Sequence, residues 1–320
     1  MTSEMPTLKV QMFGNLSLMY GDQPIAFSRN TTTKAMKLLQ CLLYYGEQGV
    51  ARNKLINSIY EADELADAPN SLRVTAYRLK KMLVHIGLPE YNYIKISKGT
   101  YYWNAPMKTI VDVHEFTRLI DEAEETEDEE VKAELWKQAL LEYKGELLPG
   151  SSGDEWILIE NVQHKHLYTD ILQSLIDYLW ERGDYEEILR FCEPACSMYP
   201  FDEWQAVRIE CFMALNRFEE AMKEYEATAK LFFEELGISP SEKMIHQFEY
   251  MSERMSTTPS SIGEIKGRLR EEKKESGAFY MTFPSFRDSY RLVRRIMERN
   301  GQSVYLFSDR RERGADGKSG

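Results

Sequence analysis

The first segment of this 320-residue chain alternates apolar and polar positions, as a half-buried β-strand does. In LKVQMFGNLSLMYGDQPIAF, Leu8, Val10 and Met12 fall on one face, and a Gly-Asn and a Gly-Asp pair interrupt the alternation. Breaks of this composition are typical of turns. The pattern therefore predicts a short antiparallel meander.

Three segments with helical periodicity follow. The first, NTTTKAMKLLQCLLYYGEQG, starts with capping Asn and Thr residues and ends at Gly46, and RNKLINSIY predicts a shorter second helix. An acidic segment, EADELADAP, precedes the third, NSLRVTAYRLKKMLVHIG. There Leu72, Ala76, Leu79 and Leu83 form one narrow stripe if each residue turns by about 100°. This stripe is predicted to face the core.

The opposite side of the third helix is basic and able to form hydrogen bonds. It carries Asn70, Arg73, Val74, Tyr77, Arg78 and Lys81. YIKISKGTYYW comes next and predicts a hairpin of two short strands around a Lys98-Gly99 turn. Basic residues on a helix usually serve only to solvate its surface. Three helices followed directly by a β-wing, however, are the arrangement that places a recognition helix in the DNA major groove.

The net charge changes sign along the chain. Residues 1–104 contain 12 Lys/Arg and 8 Asp/Glu, a net charge of +4, whereas residues 105–261 contain 14 and 35, a net charge of −21. Residues 262–320 contain 14 and 9, a net charge of +5. A polyanionic partner is therefore expected to bind the ends of the chain and to be repelled by the middle.

The acidic middle, residues 111–255, is rich in helix formers and contains an internal repeat. GDYEEI at 183–188 and NRFEEA at 216–221 superpose at an offset of 33 residues, so that Tyr185 corresponds to Phe218. A period of about 34 residues built from helix pairs is typical of tetratricopeptide repeats. The aromatic residues of this region are interpreted as packing between helices, and the run DEAEETEDEE as a solvated helix end and loop.

Other features of the chain predict no catalytic or metal chemistry. Its four cysteines lie in apolar helical patterns and are interpreted as reduced core thiols; Cys192 and Cys196 lack the partners that a metal site requires. No phosphate-binding loop, G-x-S-x-G or H-E-x-x-H motif occurs, so neither enzymatic activity nor a cofactor is expected. No membrane segment or signal peptide is recognisable, which predicts a cytoplasmic protein without membrane contact.

The N-terminal sheet, the RLKKML segment and the wing ending in GTYYW resemble the OmpR/PhoB-type winged helix over residues 6–104. The resemblance implies that residues 69–86 are the recognition helix. Asn70, Arg73, Val74, Tyr77 and Arg78 then become candidates for contacts with bases and nearby phosphates. A second set is expected to bind phosphates, namely Thr31, Thr32, Lys34, Lys81 and Lys98. In this family the loop before the recognition helix can contact polymerase subunits, which suggests Glu61, Asp63 and Glu64 here. The alternative is a solvated loop without a partner.

The middle of the chain also resembles a known family. VDVHEF, ALLEYKGELLPG, Trp156, GDYEEI, NRFEEA and FFEELGISPS occur in the order found in the bacterial transcriptional activator domain, which follows a winged helix in SARP-type regulators. The glycine usual in the second repeat turn is Asn216 here, which tolerates the same left-handed backbone. The resemblance implies a transcription regulator, most simply an activator, that binds DNA as a homodimer.

The expected fold is mainly α: an N-terminal winged helix-turn-helix (α+β), an all-α tetratricopeptide-like domain and a short α/β-like C-terminal tail. The predicted domains are residues 6–104 and 109–255, followed by a linker at 256–276. Residues 277–320 are predicted to be the front of a truncated α/β domain or a partly disordered tail. The expected partners are duplex DNA, RNA polymerase, a second copy of the chain and an unidentified effector on the helical domain. The alternative to a regulator is a protein-interaction scaffold whose N-terminal domain has weak or lost DNA binding.

Overall fold

A computed structural model describes residues 5–26, 33–60 and 67–256, together with Ser289, Tyr290, Val293 and Arg294. The N-terminal part contains β1 (Leu8–Gln11), β2 (Ser17–Tyr20), β3 (Gln23–Ile25), α1 (Lys34–Tyr45), β4 (Val50–Ala51), α2 (Arg52–Ile59), α3 (Ala68–His85), β5 (Ile94–Ser97), β6 (Thr100–Trp103) and β7 (Thr109–Val111). The helices that follow are α4 (Asp112–Glu125), α5 (Glu129–Glu142), α6 (Glu155–Arg182), α7 (Tyr185–Met198), α8 (Trp204–Ala214), α9 (Phe218–Leu236) and α10 (Glu242–Ser256). The chain divides into two compact units, one up to Pro194 and one from Ala195. This distribution confirms the expected mainly α fold.

The first sheet has the strand order β3-β2-β1-β7. Its β1-β2-β3 part is the predicted antiparallel meander, and Leu8, Val10 and Met12 are buried as expected. The sequence pattern did not predict β7, which pairs in parallel with β1 so that Val10 lies opposite Val111. This pairing joins the start of the chain to the segment that leads into α4.

The three predicted N-terminal helices are α1, α2 and α3. Thr33 caps α1 by accepting a hydrogen bond from the Met36 amide at 3.3 Å, and Gly46 ends the helix with a positive φ of 45°. The wing consists of β5 and β6, paired antiparallel, with β4 added on the free side of β6. Its turn residues Lys98 and Gly99 both have positive φ, 48° and 82°, which matches the backbone of a two-residue hairpin turn.

The N-terminal sheet is fastened to α4 by one buried carboxylate. Asp112 accepts hydrogen bonds from the amides of Met12 and Phe13 at 2.8 and 2.9 Å, and from the Val113 amide at 2.8 Å. Burial outweighs these bonds and raises the pKa of Asp112 to about 6. Phe13 also forms an isolated β-bridge with Leu147, so the segment between α5 and α6 is tied to the same place.

An aromatic cluster surrounds Phe13. Its ring contacts Phe116, Tyr143 and His164 at centroid distances of 5.4, 4.6 and 5.3 Å, and Tyr143 stacks on Tyr168 at 4.4 Å. Phe13, Phe116 and Tyr168 are almost completely buried. Rings contributed by the N-terminal sheet, α4, α6 and the end of α5 therefore share one core.

The predicted repeat appears as corresponding helix starts. α7 begins at Tyr185 and α9 at Phe218, and both follow a left-handed residue, Gly183 with φ 71° and Asn216 with φ 59°. The Asn216 backbone confirms the predicted substitution for glycine. Within the second unit, Trp204, Phe212 and Tyr225 are buried as packing residues, and Tyr225 stacks on Phe248 at 4.8 Å.

Three cysteines, Cys41, Cys192 and Cys211, are buried, and Cys196 is partly buried. The linker and most of the tail lie outside the described residues. There, only Ser289, Tyr290, Val293 and Arg294 are described, and they are helical.

Within the described part of the chain, no helix has the length and apolar character needed to cross a membrane.

Candidate nucleic-acid interface

The two sides of α3 differ sharply in burial. Leu72, Leu79 and Leu83 are fully buried, and Thr75 joins them, whereas Ala76 is half-buried. The predicted polar side is exposed throughout, and consists of Asn70, Arg73, Val74, Tyr77, Arg78 and Lys81. The structure therefore places all six sequence-predicted residues of this helix on its solvent side.

Large apolar surface is also exposed on this basic face. The Tyr77 side chain is 58% exposed and Val74 is 43% exposed, and the two residues are neighbours on the helix surface because they are three positions apart. The Lys81 ammonium lies 5.1 Å from the centroid of the Tyr77 ring, and its hydrogen bond with Tyr77 raises the pKa of Lys81. An apolar group such as a thymine methyl can pack against Val74 and Tyr77 beside this ammonium.

The start of α3 holds one candidate in an internal contact. The side-chain amide of Asn70 donates to the Asp67 carboxylate at 3.2 Å. A base that accepts from this amide must therefore compete with Asp67. The same contact places the Asp67 carboxylate beside Asn70, at the start of the candidate face.

Two side-chain contacts hold α3 in its place behind this face. The hydroxyls of Tyr60 and Thr75 form a buried hydrogen bond of 2.8 Å, which ties α3 to the end of α2. The ammonium of Lys34, at the start of α1, lies 4.9 Å from the centroid of the Tyr60 ring. The structure thus places Lys34 next to the support of α3, half-buried and not on the exposed face.

The wing turn is fixed to α2 through the backbone. The Arg52 amide donates to the Gly99 carbonyl at 3.0 Å, so the tip that carries Lys98 has a defined position. Tyr93 stacks on Trp103 at the other end of the hairpin, with a centroid distance of 5.4 Å. Lys98 is exposed at the turn, as the sequence predicted.

Sequence reasoning missed three exposed residues beside this tip. Lys95 and Ile96 lie on β5, with Ile96 53% exposed, and Arg52 is exposed at the start of α2. Arg52 could have been found from its place as the first residue of a helix that follows a strand, where its guanidinium can reach a phosphate bound beside the wing. Lys95 and Ile96 could not be found from the sequence, because strand alternation predicts that one of two consecutive side chains is buried. Both are exposed here.

The remaining predicted contacts cannot be placed. Thr31 and Thr32, expected to bind phosphate, lie outside the described residues. So do Glu61, Asp63 and Glu64, expected to contact polymerase. Among the described residues, no group of three or more His, Cys, Asp or Glu side chains is placed to hold a metal ion.

The helical region presents the opposite charge. Residues 121–130 are mostly exposed, and Arg118 is occupied by ion pairs with Glu115 and Glu122 at 2.8 and 2.6 Å. These exposed pairs contribute little to stability. They do neutralise one of the few cations in the region, so its surface repels a polyanion.

Comparison with known proteins agrees with this architecture. The model of the bacterial transcriptional activator domain matches residues 111–249, and this family is a transcription-regulator domain, not an enzyme family. No curated protein sequence matches the chain. A solved structure of Mycobacterium tuberculosis EmbR in complex with a low-affinity phosphopeptide is similar in fold, with a TM-score of 0.53 and 16% sequence identity. The similarity covers 77% of this chain and 65% of the EmbR chain.

Proposed function

We propose that the chain is a SARP-type transcriptional regulator, which binds promoter DNA sequence-specifically through α3 and the wing and activates transcription. In this proposal α3 lies in the major groove, where Arg78 and Arg73 contact bases or adjacent phosphates. Lys98 and Lys81 bind the phosphate backbone. A cytoplasmic location follows, because promoter DNA lies there.

The observation that carries the proposal is the composition of the exposed side of α3. Three cations, Arg73, Arg78 and Lys81, lie there beside the exposed Val74 and Tyr77, directly opposite a completely buried leucine stripe. Val74 and Tyr77, three residues apart on the helix, form one exposed apolar patch among these cations. A recognition helix requires both cations that bind phosphate and apolar groups that contact base edges.

The proposal assigns different tasks to the two predicted regions. Residues 6–104 bind DNA, and residues 109–255 pair two chains and bind an effector. The acidic loop with Glu61, Asp63 and Glu64 contacts RNA polymerase. Two chains are required because one winged helix contacts too few base pairs to select a promoter among the competing sites of a genome.

The test uses the full-length protein, because Asp112 and Phe13 join the winged helix to the helices behind it. Binding sites are selected from random duplexes, and affinity for the selected site is measured by fluorescence anisotropy over a range of salt concentrations. The logarithm of the affinity should fall linearly with the logarithm of the salt concentration, with a slope that reflects several released counterions. Arg190→Ala, which removes an exposed cation from the helical region, is the control and should leave the slope unchanged.

The paired arrangement has a separate test on the selected site. We expect two half-sites in the same orientation, with centres about 10 to 10.5 base pairs apart or a multiple of this spacing. Insertion of about 5 base pairs between them rotates one half-site to the opposite face of the duplex and should sharply reduce affinity. Selective binding by a monomer that tolerates this insertion would refute pairing. Absence of DNA binding at low salt would instead favour the interaction-scaffold alternative.

A further inference from the structure

A cavity of about 920 Å³ lies where the end of α1, the segment after the wing, α4 and α6 come together. This volume is in the range of sites that enclose small molecules. Tyr44, Tyr45 and Trp103 supply aromatic surface to its lining, and Glu160 and His164 supply polar groups. All of these residues lie within the first compact unit.

The polar groups of the cavity form a hydrogen-bonded chain whose direction can be deduced. The Tyr44 hydroxyl donates to Glu160 Oε2 at 2.7 Å, so its oxygen is free to accept from His164 Nε2 at 3.0 Å. The proton of His164 is then on Nε2, and Nδ1 carries a lone pair. Burial lowers the pKa of His164 to about 4, so the ring is neutral near neutral pH.

Two hydrogen-bond acceptors in this lining have unused capacity. His164 Nδ1 is buried in a side chain that is only 4% exposed, and it has no partner among the described residues. Glu160 accepts the Tyr44 hydrogen bond through Oε2, and a carboxylate has the capacity to accept several more. A buried polar atom without a partner is costly, so a donor that reaches it is favoured.

The charges around the cavity have the same sign as these acceptors. Glu47 and Glu160 contribute two carboxylates to the lining, and Lys108 contributes one ammonium. The site therefore favours a ligand that donates hydrogen bonds and carries positive charge. The aromatic side chains add cation–π attraction and flat apolar surface.

We infer that this cavity binds a small effector in which a protonated amine is attached to an aromatic ring system. The amine binds Glu160, and the ring packs against Tyr44 and Trp103. The inference rests on the proposed function, since it gives the proposed effector of the helical region a site and a chemical class.

The position of Trp103 couples this site to the wing. Trp103 is the last residue of β6, its ring stacks on Tyr93, and its indole nitrogen donates to the Thr109 hydroxyl at 3.0 Å. A ligand in contact with Trp103 thus acts on both the wing and β7. By linkage, if the amine changes the affinity of the protein for DNA by some factor, then DNA changes the affinity of the protein for the amine by the same factor.

The test compares three probes that share an indole ring and differ in charge. Binding of tryptamine, 3-methylindole and indole-3-acetate to the full-length protein is measured by isothermal titration calorimetry in the absence of DNA. We expect tryptamine to bind about tenfold or more tightly than either of the others. Glu160→Gln, which keeps the side-chain shape and removes the charge, should weaken tryptamine binding about tenfold.

Glu181→Gln is the matched control, because it removes an exposed carboxylate from the same helix outside the cavity lining and should leave the affinity unchanged. Glu47→Lys, on the exposed rim, provides a second variant if Glu160→Gln does not fold, and it should also weaken binding. Equal affinity for the three probes, or no binding of tryptamine at millimolar concentration, would overturn the inference. Because these titrations contain no DNA, a failure of DNA binding is detected separately by anisotropy.

Discussion

The stability of the first unit should depend on pH through two buried groups. Acidification should destabilise the fold through one of them and stabilise it through the other. Burial lowers the pKa of His164 from 6.5 to about 4, and raises the pKa of Asp112 from 3.8 to about 6. The stabilisation from neutral His164 is present above its unfolded pKa and is lost as the pH falls toward the folded pKa. The stabilisation from protonated Asp112 is present at low pH and is lost as the pH rises through its folded pKa.

The magnitudes follow from the linkage relation. Between about pH 7 and about pH 5, the unfolded chain takes up most of a proton at His164 and the folded chain takes up little, which costs about 2 kcal/mol of folding free energy. Over the same interval the folded chain takes up most of a proton at Asp112, which contributes about 1 kcal/mol. The wild-type protein should therefore lose about 1 kcal/mol or less, because the two effects largely cancel.

Single substitutions separate the two effects. His164→Gln keeps a donor for the Tyr44 hydroxyl and removes the titration, so acidification should now stabilise the protein by about 1 kcal/mol. Asp112→Asn should show the full loss of about 2 kcal/mol, in addition to a lower stability at neutral pH, because the NH2 group that replaces one carboxylate oxygen cannot accept from a backbone amide. His166→Gln changes an exposed histidine on the same helix and is the control, with an expected wild-type response.

The assay is urea-induced unfolding followed by far-ultraviolet circular dichroism at the two pH values. The free energy of unfolding is obtained by linear extrapolation for each variant. If His164→Gln responds to pH as the wild type does, His164 is not the group that titrates, and the deduced neutral ring in the Tyr44–Glu160 chain is wrong.

Three further predictions concern the winged helix. Leu79→Ala should lower the free energy of unfolding by roughly 2 to 5 kcal/mol in urea titrations, because it leaves a cavity at a fully buried position; a neutral result would contradict the packing of α3. Arg78→Ala should reduce discrimination between the selected site and a mismatched duplex by about 1 to 3 kcal/mol in anisotropy measurements, whereas Lys98→Ala should weaken all sequences equally; the reverse result would exchange the roles of helix and wing. Glu61→Lys combined with Glu64→Lys should lower transcription in vitro at saturating DNA occupancy while DNA affinity stays equal or rises slightly, and unchanged transcription would refute the polymerase contact.

Local sequence patterns determined most of the secondary structure and the exposed side of α3. The leucine stripe, the wing turn at Lys98 and the left-handed Asn216 each depend on neighbouring residues, so periodicity and turn chemistry predict them. The six candidate residues on α3 followed from the same geometry, because burial of one side of a helix defines the other. Their role in DNA binding stays a prediction.

The tertiary structure alone decided how the winged helix is joined to the helices behind it. Asp112 binds the amides of Met12 and Phe13 across 100 and 99 residues of sequence, and His164 meets Tyr44 across 120. No local pattern marks these contacts: Asp112 resembles an ordinary helix-start acid, and His164 resembles one more polar residue on a long helix. Their altered pKa values arise from burial by side chains distant in sequence, and burial of that kind exists only once the chain has folded.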